Sequence, residues 1–137
     1  MLTGVELVIA APEAYELPAE TMAIARGLVG GGSVTQVRDP YEAVRVATAV
    51  YADVWASMGQ EHEAAQRAED FAGYQIDLPL LAAAPADALV MHDLPAHRGE
   101  EISDDAIESP HSVVFDQAEN RMHAQQAVLA SILGGAS

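Results

Sequence analysis

The sequence predicts a layered α/β domain built on a mainly parallel sheet. Short apolar runs alternate with longer amphipathic stretches of helical spacing along the whole chain. Strands that alternate with helices pair in parallel through crossovers, which places helices on the sheet faces. The length, 137 residues, fits one domain of ordinary size, and a 50% hydrophobic content supplies a core for it.

The elements read off in order. Val5 to Ala10 is a buried strand closed by Pro12. Pro18 to Val29 has helical spacing (Met22, Ile24, Ala25, Leu28, Val29) and stops at Gly30-Gly31-Gly32. Ser33 to Val37 is a second strand. Asp39-Pro40 supplies an N-cap and a first-turn proline for a helix from Tyr41 to Ala47. Ala49 to Trp55 is a third strand, and Gly59 to Phe71 a polar, alanine-rich helix. Short helices follow at Leu78 to Ala84 and Asp104 to Glu108, flanking a strand at Ala88 to His92. Ser112 to Phe115 reads as the last strand, and Glu119 to Leu133 as the closing helix. In such sheets ligands gather beyond the carboxyl ends of the strands, so the loops after Trp55, His92 and Phe115 are the informative ones.

Composition narrows the function. The chain has 21 acidic residues, six arginines and no lysine, for a formal net charge of −15. That field repels phosphate backbones and anionic membrane surfaces, so nucleic acid and membrane are not expected partners. The absence of cysteine excludes a disulfide, a thiolate metal site and a cysteine nucleophile. With no membrane-length apolar run and no secretory leader pattern, the expectation is a soluble cytoplasmic protein.

Three segments carry chemistry. The first, Asp53 to Gln60, sets a carboxylate at a strand end, then Ser57, Met58 and Gly59. Asp and Ser can receive an ammonium group and a free backbone N–H a carboxylate; Asp53 as the cap of the next helix is the other reading. The second, Met91 to Glu101, holds His92, Asp93, His97, Arg98, Glu100 and Glu101. His92, Asp93 and His97 lack a companion ligand pair of familiar spacing, so no metal is assigned; His97, Arg98 and Glu100 also read as a surface charge network. The third, Asp116 to Gln125, places Arg121 in what the pattern reads as a first helical turn, against the helix dipole. There it answers either to an anionic ligand or to Asp116 or Glu119.

In order and wording the three segments resemble the ornithine carbamoyltransferases. Asp53 to Gly59 is similar to their Asp-x-Trp-x-Ser-Met-Gly loop, and His92 to Glu101 to His-Cys-Leu-Pro-Ala-His-Arg-Gly-Glu-Glu. Phe115 to Gln125 is similar to Phe-Asp-x-Ala-Glu-Asn-Arg-x-His-Ala-Gln. Ala11-Pro12-Glu13 and Tyr74-Gln75 add to the match, which runs from about residue 5 to the end. The resemblance implies a three-layer, Rossmann-like ornithine-binding domain and transfer of a carbamoyl group from carbamoyl phosphate to the δ-amine of ornithine. Citrulline and phosphate result, in arginine biosynthesis, with no cofactor. It implies that Asp53 and Ser57 hold the α-amino group while the Met58 backbone meets the carboxylate. His92 and Leu94 then lie near the carbamoyl group, and Arg121 polarises its oxygen.

Two departures qualify the resemblance. Asp93 stands where the family has its cysteine, beside the δ-amine that must lose a proton to attack; a carboxylate there stabilises the ammonium. The family's Ser-x-Arg-Thr phosphate loop and His-Pro-x-Gln segment do not occur among the 137 residues. Nor does the Gly-Asp-x-x-Asn turn whose strand opens the ornithine domain and is expected in mid-sheet. The whole chain is therefore read as a partial ornithine-binding domain without a carbamoyl phosphate domain. It would engage carbamoyl phosphate only when an N-terminal half is supplied. The resemblance implies a homotrimeric family whose trimer contacts come largely from that missing half. A non-catalytic amino-acid-binding or scaffold remnant of the enzyme is the alternative.

Overall fold

A computed structural model describes residues 4–28 and 30–134. Four strands and six α-helices occur among them, in an alternating order that matches the predicted class. The strands are β1 (Glu6–Ala10), β2 (Ser33–Val37), β3 (Ala49–Ala52) and β4 (Leu89–His92). The helices are α1 (Ala19–Gly27), α2 (Pro40–Val44), α3 (Ala64–Asp70), α4 (Leu78–Leu81), α5 (Asp104–Ile107) and α6 (Val114–Leu133). Val29, the predicted end of the first helix, lies outside the described residues. None of the helices is long and apolar enough to cross a membrane.

Local chemistry starts the short helices. The Asp39 carboxylate accepts from the Tyr41 N–H at 2.9 Å, with Pro40 opening α2. Asp77 accepts from the Leu80 N–H at 2.8 Å and Ser103 from the Ala106 N–H at 3.2 Å, capping α4 and α5. Each side-chain oxygen satisfies a backbone donor that a helix start leaves free.

All pairing is parallel, as predicted, but it falls into two pairs. β1 pairs with β2 from Glu6↔Ser33 to Ala10↔Val37, and β3 with β4 from Ala49↔Leu89 to Ala52↔His92. No ladder joins β1 to β3. Instead Val8 and Ala10 face Val50 and Ala52 across a cleft of about 430 Å³, walled at one end by Trp55 and Phe71.

The main core surrounds the second pair. Val44, Val50, Ile76, Leu80, Val90, Ile102, Ala106, Ile107 and Val114 form one buried cluster. Burying a branched aliphatic side chain of this size is worth about 1.5–3 kcal/mol, so β3 and β4 are the best-anchored strands.

The predicted strand at Ser112 to Phe115 is corrected. Its pairing amounts to one parallel bridge, Val90↔Ser112, after which the chain enters α6 at Val114. Val113 turns (φ −113°, ψ 20°), its carbonyl accepts from the Gln117 N–H at 2.8 Å, and Val114 is fully buried as the first helical residue. Three apolar residues, Val113 to Phe115, are too few for periodicity to separate a strand from a buried helix start. The Gly59 to Phe71 helix is also shorter than predicted: a 3-10 turn at Glu61–Glu63 precedes α3. The third strand ends at Ala52, and Asp53 to Trp55 already belong to the loop.

Candidate functional site

The register Ala52↔His92 sets two carboxylates, Asp53 and Asp93, one residue beyond the carboxyl ends of neighbouring parallel strands. Paired strands run about 4.8 Å apart, so the two loops leave the sheet side by side. They are built differently.

The loop after β4 is held from within. His92 is 1% exposed, its N–H donating to Gln117 Oε1 at 3.1 Å. Its Nδ1 accepts from the Leu94 N–H at 2.9 Å. That nitrogen therefore carries no proton, and the ring proton lies on Nε2, 3.1 Å from Glu101 Oε1. Glu101, also 1% exposed, accepts from the His97 N–H as well, at 2.6 Å. Leu94 is thereby fixed at φ 56°, a left-handed conformation uncommon for a leucine. Behind the turn, the Ile76 N–H donates to the Glu101 carbonyl at 2.8 Å and Gln75 Nε2 to the Glu100 carbonyl at 2.6 Å.

Arg121 corrects a second expectation. It is the eighth residue of α6, not a member of its first turn, so the helix-dipole argument for it does not hold. Neither Asp116 nor Glu119 pairs with it; Glu119 instead approaches His123 at 3.5 Å. Arg121 reaches back to the Asp93 carbonyl at 3.5 Å, and α6 and the turn together form an open groove lined by Asp93, Leu94, Met122 and Arg121. Asp116 to Gln125, expected as a loop running into a helix from Glu119, lies wholly within α6.

The loop after β3 is held only locally. Asp53 accepts from its own neighbour, the Val54 N–H, at 2.7 Å, and caps no helix. Gln60 Oε1 accepts from the Ser57 N–H at 3.2 Å, and Met58 is 97% exposed. Glu61 accepts from the Gly59 N–H at 3.0 Å, and this bond holds its carboxyl below the usual range. Asp53 and Ser57 face the cleft between the strand pairs, not the groove beside Arg121. The structure thus gathers His92, Asp93, Leu94 and Arg121 in one place and Asp53 and Ser57 in another, with Met58 projecting into solvent.

The wall beyond Asp53 is aromatic. Trp55 stacks on Phe71 at 5.8 Å, Phe71 meets Tyr15 at 4.7 Å, and the Arg67 guanidinium lies 5.1 Å above the Tyr15 ring. Arg67 ties this wall to the loop by donating to the Trp55 carbonyl at 3.0 Å. The hydrogen bond to Asp70 raises the Tyr15 hydroxyl above its ordinary value.

Glu101 and Gln117 are the site residues that sequence reasoning missed, although both lie within the matched segments. The signal for Glu101 was its place beside Ile102, where an apolar residue follows the Gly99 turn into the core. The predicted surface network is present in part: Arg98 pairs with Asp104 and Glu108, which raise its pKa, Glu108 foremost, and His97 lies 3.5 Å from Glu100. Among the described residues His97, Glu100 and Glu101 bring ligand atoms within 4.8 Å of one another. Glu101 Oε1 is already committed to two donors there, and no metal is assigned.

Known proteins share much of this sequence and its fold. The family model for the aspartate/ornithine carbamoyltransferase Asp/Orn-binding domain matches residues 1–132. The ornithine carbamoyltransferase of Methanoculleus marisnigri is 54% identical over 134 residues, covering 98% of this chain and 43% of that protein. Among solved structures, the ornithine carbamoyltransferase of Pyrococcus furiosus superposes with a TM-score of 0.86 at 49% identity, over 97% of this chain and 43% of that one. That of Giardia lamblia gives 0.84 at 27% identity, over 98% and 44%. The chain therefore spans less than half the length of the relatives it matches. On its strand-end loops, its parallel pairs and this match over nearly every residue, the chain belongs to the aspartate/ornithine carbamoyltransferase family, as an Asp/Orn-binding domain.

Proposed function

We propose that the chain is the ornithine-binding part of an ornithine carbamoyltransferase, acting together with a carbamoyl phosphate domain. The observation that carries this reading is the buried His92–Glu101 pair, which holds the Leu94 turn open toward Arg121. A group that must meet a reacting carbonyl has to be placed before the substrate arrives. In this reading Asp53 and Ser57 receive the α-ammonium of ornithine, and the Met58 backbone donates to its carboxylate. Closure of the Ser57–Gly59 loop over the amino acid would bring the two groups of residues together. His92 and Leu94 border the carbamoyl group, and Arg121 stabilises the charge that grows on its oxygen as the δ-amine attacks. The phosphate leaves toward the other domain. The cleft between β1 and β3 would take the strand that opens the domain in its relatives, satisfying backbone groups on both edges.

Asp93 favours a second reading, a domain that binds the amino acid without turning it over. A carboxylate beside the δ-amine raises its pKa, and an aspartate near 3.9 is a feeble base for an amine near 10.4. Citrulline formation decides between the two. The chain alone should give none, and the chain mixed with the preceding half of the M. marisnigri relative should give slow turnover that Asp93→Cys accelerates. Absence of citrulline with both the unaltered chain and Asp93→Cys would leave the binding domain as the answer.

A further inference from the structure

We infer that Arg67 is a positioning residue for the loop after β3: one guanidinium pins both roots of the Ala56–Gln60 segment, so that Ser57, Met58 and Gly59 move as one flap between fixed ends. This deepens the ornithine reading, and rests on it only for the consequence for substrate binding.

The segment begins after Trp55 and ends at the 3-10 turn that closes with Glu63. Arg67 Nη1 donates to the Trp55 carbonyl at 3.0 Å, while Nε and Nη2 both donate to Glu63 Oε2, at 2.9 and 2.8 Å. The side chain that makes these bonds is only 17% exposed, so water competes poorly for its donors. A guanidinium presents its donors in a rigid planar fork, and that rigidity lets one group fix the separation of two acceptors.

Both roots are seated on α3. Glu63, Arg67 and Phe71 recur at four-residue spacing from the N-cap of α3 to its C-cap, which sets them on one face. Arg67 therefore holds the backbone of Trp55, and Phe71, one turn on, stacks against its ring at 5.8 Å. Tyr15, from outside the helix, completes the seat. Its ring lies 4.7 Å from Phe71 and 5.1 Å from the guanidinium, and its hydroxyl donates to Asp70 at 2.8 Å.

Between the roots the chain bonds to itself. Among the described residues the Ser57 N–H donates to Gln60 Oε1, the Gln60 N–H to the Ser57 carbonyl, and the Gly59 N–H to Glu61. Met58 is 97% exposed, and Gly59 turns the tip at φ 90°. A segment with an internal turn and two fixed ends can swing on those ends while its own geometry changes little. Freed at either root it would fluctuate, and ordering it on a ligand would cost entropy. In the ornithine reading Arg67 thus sets where Ser57 and the Met58 backbone arrive, without touching the amino acid.

Trp55 is the only tryptophan of the chain, so its emission reads the first root directly. In the ligand-free chain Arg67→Met should shift that emission to the red. It should also lower the NMR order parameters of the Ser57, Met58 and Gly59 amides and leave those of Leu94 and His97 unmoved. Arg67→Lys keeps the charge but not the fork, and should behave as Arg67→Met does. Glu63→Ala frees the second root alone: the flap amides should loosen while the Trp55 emission holds. By calorimetry, ornithine should bind both Arg67 variants about ten-fold more weakly than the unaltered chain. A merely structural role would lower the unfolding midpoint without moving Trp55 or the flap amides in the folded state. That result, or full rescue by Arg67→Lys, overturns the proposal. Loosened flap amides with unchanged ornithine affinity would overturn the role in positioning. No ornithine binding by the unaltered chain, with the ligand-free changes as expected, would support the pinned flap and tell against the ornithine reading. Were Arg67→Met to misfold, Arg67→Lys and Glu63→Ala would still decide.

Discussion

The loops after β3 and β4 leave adjacent strand ends and differ in what holds them. The second is tied to the core: His92, Leu94, His97 and Glu101 bond to one another, Gln117 joins them from α6, and Ile102 anchors the end at zero exposure. The first bonds mainly to itself, through Asp53 to Val54, Gln60 to Ser57 and Glu61 to Gly59, with one outside tie from Arg67. A loop with a buried network keeps its geometry without a ligand, whereas one with local, exposed bonds takes its geometry from whatever binds it. In the proposed reading, positioning of reacting groups would fall to the second loop and closure over a substrate to the first.

Four measurements sharpen or break that contrast. The largest effect should come from Ile102→Ala, which empties a fully buried site beneath the second loop. It should cost about 3–4 kcal/mol in a urea unfolding midpoint at unchanged slope. Glu101→Ala removes the acceptor of both the His92 ring and the His97 N–H. A loss of about 3 kcal/mol is expected, together with faster exchange of the Leu94 and His97 amides; unchanged exchange would mean the network does not hold the turn. Gly59→Ala meets no atom within 4 Å but must adopt φ 90°. That strain should cost about 1 kcal/mol and show only in the first loop's amides, because little couples it to the core.

The smallest effect is one of pH. The Gly59 N–H holds the Glu61 carboxyl below its ordinary value. The folded state thus binds that proton less readily than the unfolded chain, so the contribution is full above the unfolded pKa and fades as pH falls through the folded one. An amide shift of Gly59 that moves in acid, and no longer does so in Glu61→Gln, is the expected signature; identical titrations would remove the bond from the account.

Much of this was legible in the sequence. Asp39-Pro40, Asp77 and Ser103 act through neighbours two or three residues away, and apolar runs such as Leu7 to Ala10 or Leu89 to Met91 fill strands. The setting of Arg121 was not legible, because whether Val113-Val114-Phe115 extends or coils depends on Val114 reaching the core around Val90. The role of Glu101 was hidden for the same reason. A glutamate in an acidic stretch reads as surface until a buried histidine is placed 3.1 Å from it.

By itself, the sequence determined the α/β class, the parallel pairing, most element positions and the family, since these follow from periodicity, caps and motif order within short windows. Only the tertiary structure decided that the strands fall into two pairs flanking a cleft. It also decided that His92 holds its proton toward Glu101, that Arg121 faces the Asp93 turn and that Asp93 Oδ1 accepts no hydrogen bond. Each of these depends on which distant groups share a buried space, and contacts between residues far apart in the chain leave no local pattern to read.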